Sequence, residues 1–278
     1  MLRLLTFNGI NFCLALVLGI LCFSAPLKAA SFKVPKPAYV TGGTIMFPYS
    51  LQPGDRNNVY FETFIKASFP LWKSKKSKLS VFVKGFYSKD SQALTFNNRS
   101  KASVGISYSH KLHKTFSITA TAKYDYDYRP LSSKTKSGLR ANLSYFYYKS
   151  WWRNMPGGHK GWFRQKSWAR AWGVFTYPES LDAGNHNLAF ITGLEAATAF
   201  VRPKGKLQYV PFAELTFARD SYKLSFNNKV IPAAGFKFRY PLKGGEINLG
   251  VKYAIDRRWI NGTTEYGTVI FAGWYKSF

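Results

Sequence analysis

The chain has 278 residues, and its 40 Lys and Arg against 13 Asp and Glu give a formal charge of +27. That charge is dispersed along the chain, so it speaks to attraction for anions and not to fold. The only cysteines, Cys13 and Cys22, lie near the N-terminus, which excludes disulfides and thiolate chemistry from everything beyond residue 30.

Arg3 precedes an apolar stretch from Phe12 to Phe23, followed by Ala25-Pro26-Leu27-Lys28-Ala29-Ala30. This is the three-part layout of a secretory signal, expected to occupy 1–30 and to be cleaved after Ala29 or Ala30. The apolar core is short for a spanning helix. Leu21 is bulky where lipoprotein processing before Cys22 wants a small residue. Secretion makes nucleic acid a poor partner despite the charge. Outer-membrane lipid and lipopolysaccharide, and anionic or neutral polysaccharide, are the more accessible ones.

Residues 31–57 carry Pro35, Pro37, Pro48 and Pro53 with Gly42, Gly43 and Gly54, and read as an irregular periplasmic lead-in. After residue 57 helical periodicity is almost absent and period-two alternation recurs. Phe116, Ile118, Ala120, Ala122, Tyr124, Tyr126 and Tyr128 alternate with Ser117, Thr119, Thr121, Lys123, Asp125 and Asp127. Such a segment presents one apolar and one polar wall. The pattern predicts strands at 58–71, 78–88, 100–111, 114–128, 138–149, 164–177, 187–202, 206–219, 221–229, 232–241, 244–256 and 265–278. An even count of about twelve suits a bacterial barrel.

A soluble sandwich is the alternative, but aromatics crowd the strand ends at Phe69, Trp72, Tyr128, Tyr147, Trp151, Trp152 and Tyr177, as interfacial girdles would require. Phe278 ends a strand carrying Ile270, Ala272 and Trp274 on one face, similar to the assembly signal of bacterial outer-membrane proteins, with Lys276 discordant. The fold class expected is therefore all-β, an antiparallel transmembrane β-barrel over residues 58–278, in the bacterial outer membrane.

With the polar faces turned inward, the lumen receives Lys66, Lys84, Arg140, Lys166, Arg170, Lys223, Lys237, Arg239 and Lys252. Opposing them are Glu62, Asp125, Asp127, Glu195, Glu214 and Glu246. A cationic wall concentrates anions and repels cations; the plainer reading is that lumen charges neutralise one another. The connection 150–163 holds Trp151, Trp152, Arg153 and Trp162, which read either as a sugar-contacting loop or as part of an interfacial aromatic belt. No catalytic pattern emerges. His110, His113, His159 and His186 fall near strand ends or in loops, and Asp125 and Asp127 read as salt-bridge partners. No cofactor or metal is implied.

The strand pattern and basic lumen resemble two groups of barrels. One is the small porins for acidic sugars. The other is the C-terminal barrel of exopolysaccharide-export and phage-adsorption proteins, carried by Arg56-Asn57-Asn58-Val59-Tyr60-Phe61-Glu62, Gly235-Phe236-Lys237-Phe238-Arg239-Tyr240 and Val251-Lys252-Tyr253. Larger members of the second group carry a periplasmic helical-repeat domain before the barrel, so the resemblance implies a separate periplasmic repeat protein as partner. Both imply a channel for export or diffusion of polysaccharide or anionic sugars. The competing classes are a non-conducting surface barrel that binds lipopolysaccharide or glycan, and a lipid-active outer-membrane enzyme.

Overall fold

A computed structural model describes residues 37–154, 164–182, 185–201 and 205–278. The expected signal at 1–30 lies outside the described residues. Twelve strands follow in chain order: β1 (Ala38–Phe47), β2 (Tyr60–Lys73), β3 (Ser77–Asp90), β4 (Arg99–His113), β5 (Phe116–Arg129), β6 (Lys134–Asn154), β7 (Arg164–Tyr177), β8 (Ala189–Val201), β9 (Gln208–Asp220), β10 (Lys229–Leu242), β11 (Gly245–Arg258) and β12 (Thr263–Ser277). Each pairs antiparallel with its chain neighbours, and β1 pairs with β12 to close the barrel. Closure leaves no free edge, the condition for a sheet to sit in hydrocarbon.

Alternation sets the two faces. Outward residues are apolar and exposed, among them Val104 and Ile106 on β4, Leu139 and Leu143 on β6, Leu249, Val251 and Tyr253 on β11, and Ile270 on β12. Inward residues include the buried polar Ser80, Ser103, Asp125, Asp127, Glu195 and Lys237. An apolar exterior around a polar interior inverts the arrangement of a water-soluble barrel and matches one solvated by lipid.

The count of twelve matches expectation, but two of the strands do not. β1 lies inside the segment 31–57, which alternation alone marks as an irregular lead-in. Its Gly42-Gly43 mimics a loop, yet Gly43 is there because a Cβ would collide with the Trp274 ring and the Glu62 carbonyl oxygen. Conversely, 221–229 is no strand up to Asn228, despite alternating Tyr222, Leu224 and Phe226. Asp220 gathers that segment into a turn. Its carboxylate accepts from Asn187 Nδ2 (3.1 Å), Asn227 Nδ2 (2.7 Å), Asn228 Nδ2 (2.8 Å) and the Leu224 N–H (3.0 Å).

The same cage recurs across the barrel. Asp90 accepts from Asn58 Nδ2 (3.0 Å), Asn97 Nδ2 (2.6 Å), Asn98 Nδ2 (2.7 Å) and the Leu94 N–H (2.9 Å). The two segments, Asp90-Ser91-Gln92-Ala93-Leu94-Thr95-Phe96-Asn97-Asn98 and Asp220-Ser221-Tyr222-Lys223-Leu224-Ser225-Phe226-Asn227-Asn228, share one pattern. Lys123-Tyr124 with Asp127 and Arg129 likewise matches Lys252-Tyr253 with Asp256 and Arg258.

Register confirms that the repeat is structural. Tyr60↔Asp90 corresponds to Ala189↔Asp220, Ser88↔Arg99 to Ala218↔Lys229, and Asp127↔Lys136 to Asp256↔Glu265. Even the seam obeys it, since Phe47↔Ile270 corresponds to Tyr177↔Ala141. Phe47–Pro48 and Tyr177–Pro178, at matched positions, are both cis. The barrel is thus a tandem pair of six-stranded halves, β1–β6 and β7–β12, and matched positions in the halves can be compared directly.

Candidate functional site

The lumen wall is built by the inward positions of all twelve strands, and its charges fall into groups set by register. In the second half, Glu195 on β8 is enclosed. It meets Arg170 Nη2 on β7 (2.8 Å), Lys237 Nζ on β10 (2.9 Å) and Trp168 Nε1 (2.8 Å). Lys252 on β11 pairs with Glu214 on β9 at 2.6 Å, and Arg239 with Glu246 at 2.5 Å. Lys237 also lies 4.8 Å from the Phe212 ring centre, and Phe212 meets Phe271 edge-on. This side is packed as well as neutralised: Trp168, Ala197, Ala199, Val210 and Phe212 form a buried cluster.

The first half has its own network. Asp125 meets Lys123 at 2.7 Å and Arg140 at 3.4 Å, while Asp127 faces Lys101 (3.6 Å) and Arg99 (3.8 Å). Glu62 accepts from the Tyr60 hydroxyl at 2.8 Å. Asp125 Oδ1, Asp127 Oδ1, Arg99 Nε and Arg140 Nε have no protein hydrogen-bond partner among the described residues. Polar atoms so placed call for water or another polar species.

Three inward lysines lie over aromatic rings and outside every ion pair among the described residues. Lys66 Nζ lies 4.2 Å from the Phe82 ring centre, Lys84 Nζ 4.9 Å from that of Phe64, and Lys166 Nζ 5.5 Å from that of Trp152. Among the described residues no carboxylate lies within ion-pair distance of any of the three.

Two site expectations are corrected. Lys223 is not in the lumen; it sits exposed in the turn after Asp220, at a positive φ of 56°. Trp151, Trp152 and Arg153 are not in a loop, because β6 runs on to Asn154 and pairs there with β7. Both tryptophans are exposed at the strand end; Trp162 lies outside the described residues. Phe278 follows β12, and its N–H donates to the Tyr39 carbonyl at 2.9 Å, beside the closing seam. His110 Nδ1 meets Ser77 Oγ at 2.7 Å, with the Tyr108 hydroxyl 3.2 Å from that oxygen. Among the described residues no carboxylate is hydrogen-bonded to His110, the third group a hydroxyl nucleophile would need.

Arg99, Lys101 and Lys123 are lumen cations that sequence reasoning omitted. The signal was present in the repeat: Lys252 was recognised, and its match Lys123 precedes Asp125 on the same face.

The mouth opposite the chain termini carries a second duplicated feature. The connections after β1 and β7 fold inward as two straps. Leu51 is buried with Ala233, Ala254 and Val269, on the inner faces of β10, β11 and β12. Gln52 Nε2 donates to Asp256 (3.3 Å), and Arg56 pairs with Glu265 (2.5 Å). In the other half Leu181 approaches Gly138, Lys136 pairs with Asp182, and Arg140 donates to the Glu179 carbonyl at 2.5 Å. The straps narrow this mouth from two sides.

Among the described residues no cluster of His, Cys, Asp or Glu is placed to hold a metal ion. No protein-family model matches the chain, and no curated protein matches it in sequence. Solved structures that resemble it are the β domain of the Bordetella autotransporter BrkA, LpxR from Salmonella typhimurium, and the KdgM porin in complex with disordered oligogalacturonate. The first is 12% identical over 88% of this chain and 100% of that one, with a TM-score of 0.44. LpxR is 8% identical over 85% and 99%, TM-score 0.43. KdgM is 12% identical over 87% and 99%, TM-score 0.38. Likeness this remote bears on no function. The closed twelve-stranded sheet and its apolar outer wall are those of a bacterial outer-membrane β-barrel.

Proposed function

We propose that the barrel is an outer-membrane channel through which anionic sugars or polysaccharide pass, by export or diffusion, without chemical change. The observation that carries this reading is that Lys66, Lys84 and Lys166 face inward over aromatic rings and form no ion pair with a carboxylate among the described residues. Positive charge fixed on a polar wall raises the local concentration of anions and excludes cations. Export of polysaccharide in this way would call for a separate periplasmic repeat protein to deliver the chain.

Reconstitution in planar bilayers tests the reading. Discrete current steps with a reversal potential shifted toward anions support it; a barrel that inserts and stays silent under all voltages sinks it.

The inward-folded straps favour a second reading, a non-conducting barrel whose cationic surface holds lipopolysaccharide or glycan. Leu51 and Leu181 sit where a fully open mouth would need free space. Silent bilayers, together with retention of purified lipopolysaccharide on the immobilised barrel, would decide for it.

A further inference from the structure

The duplication supplies an internal comparison that a single barrel lacks. Lys66 lies six residues after Tyr60, and Glu195 six after Ala189; Lys84 lies six before Asp90, and Glu214 six before Asp220. Since Tyr60↔Asp90 and Ala189↔Asp220 are matched pairs, Lys66 matches Glu195 and Lys84 matches Glu214. In both halves the two residues are direct cross-strand partners, Lys66↔Lys84 and Glu195↔Glu214. Each half therefore sets two like charges opposite each other at the same place on the wall, with opposite sign. Like charges so placed are destabilising unless something answers them.

In the acidic pair the protein answers. Arg170 and Lys237 hold Glu195, and Lys252 holds Glu214. In the basic pair no carboxylate comes within ion-pair distance among the described residues, and Glu62 and Asp125, the acids that act on Lys84 from further away, are held by Tyr60 and by Lys123 and Arg140. Lys66 and Lys84 reach across to the rings of Phe82 and Phe64, and Glu62, the acid on the same face of β2, is engaged by Tyr60. A cation–π contact holds an ammonium in place but leaves its charge unneutralised. No acid stands where the second-half counter-ions do: Val40 matches Arg170, Ser107 matches Lys237, and Lys123, which matches Lys252, is itself a lysine paired with Asp125.

We infer that Lys66 and Lys84, with Phe64 and Phe82 beneath them, form an anion-binding site in the first half of the lumen, whose ligand is an oxyanion: the carboxylate of an acidic sugar, or a phosphate. The ligand supplies the counter-charge that Arg170, Lys237 and Lys252 reverse in the other half. The inference deepens the channel reading and shares its lumen, but binding and conduction are separable.

Calorimetric titration of the refolded barrel in zwitterionic micelles tests it, with an oligoglucuronate, inorganic phosphate and neutral maltotriose as probes. The expected result is saturable binding of at least one anionic probe and none of maltotriose. Affinity falls at least tenfold in K66Q/K84Q and is retained in K66R/K84R and in K75Q/K76Q, which removes equal charge from an exposed turn. Preference for oligoglucuronate over phosphate assigns the site to acidic sugars; the reverse assigns it to phosphate.

Unchanged binding in K66Q/K84Q, equal loss in K75Q/K76Q, or no anion binding by the wild-type barrel overturns the site. Retarded migration on unheated gels, scored for each variant, shows that the barrel has folded; if K66Q/K84Q fails it, the single variant K84Q takes its place. Probe binding in a barrel that passes no current leaves the site standing and removes the channel. Anion-selective current with binding unaffected by K66Q/K84Q does the opposite.

Discussion

Glu195 and Lys237 lie on β8 and β10, one strand apart, and meet at 2.9 Å with both side chains buried. With Arg170 and the Trp168 indole, both on β7, also on this carboxylate, Glu195 is the point at which three strands are tied. Charge reversal at Lys237 is therefore an unsuitable probe of ion selectivity, although the residue faces the lumen. It would leave two acids together in a packed wall.

Replacing Glu195 by Gln should destabilise the barrel by about 3 kcal/mol, because Lys237 is left as a buried charge without its counter-ion. Urea unfolding from lipid vesicles, followed by tryptophan fluorescence, measures this. E195L/K237M should recover much of the loss, since Arg170 is exposed enough to be hydrated. If E195Q is neutral, the enclosed pair is not what holds this wall.

The twin cages give a prediction about additivity. Asp90 and Asp220 are each the common acceptor for three Asn side chains and one backbone N–H, on strands six places apart around the barrel. Alanine at either position orphans these donors and should cost about 2–4 kcal/mol, reduced where water reaches them. The two losses should agree closely and add in D90A/D220A, because the sites share no partner. Unfolding midpoints of the two single variants and the double one decide the matter; a strongly unequal pair would mean that the halves are not equivalent in energy.

Where the fold was legible, the alternation of polar with apolar residues carried it. Lys123, Asp125 and Asp127 between aromatics make β5 unmistakable, since no helix places them on one side. β1 was hidden because Gly42 and Gly43 answer to packing against Phe64 and Trp274, contacts more than twenty and two hundred residues away. The 221–228 turn was misread because Tyr222, Leu224 and Phe226 imitate alternation, while Asp220 decides the local structure through donors that include Asn187 from another connection. The polarity of the lumen follows from the pleat, but which lysines are neutralised depends on register between strands, and no periodicity reveals that. The duplicated Asp-Ser-x-x-Leu-x-Phe-Asn-Asn segment stood in plain sequence and would have placed both turns.

The strap predictions concern the mouth. Leu51 buries its side chain against Ala233, Ala254 and Val269, so Leu51→Ala should cost about 2–3 kcal/mol, the range for a buried leucine. Leu51→Asp should expel the strap while leaving the strands paired, and trypsin should then cut after Arg56 faster than in the wild type, where Arg56 is tied to Glu265. Mass spectrometry of limited digests of the vesicle-embedded barrel reads the outcome. Unchanged cleavage at Arg56 would mean that the strap is held by its ion pair and not by Leu51.

The seam offers the sharpest contrast between the halves. At Gly43 on β1 an added Cβ would strike the Trp274 ring and also the Glu62 carbonyl oxygen, a backbone atom that cannot move without opening the β1–β2 ladder. At the matched Gly173 on β7 the three nearest atoms all belong to the Tyr145 side chain, which can move without opening a ladder, at the cost of its 2.6 Å hydroxyl contact with Thr192. Overpacking is tolerated only where the neighbour yields. Gly43→Ala should therefore weaken closure and lower the yield of folded, heat-modifiable barrel, while Gly173→Ala should cost well under half as much. Equal losses would show that the β1–β12 seam closes no more tightly than the continuous junction between β6 and β7.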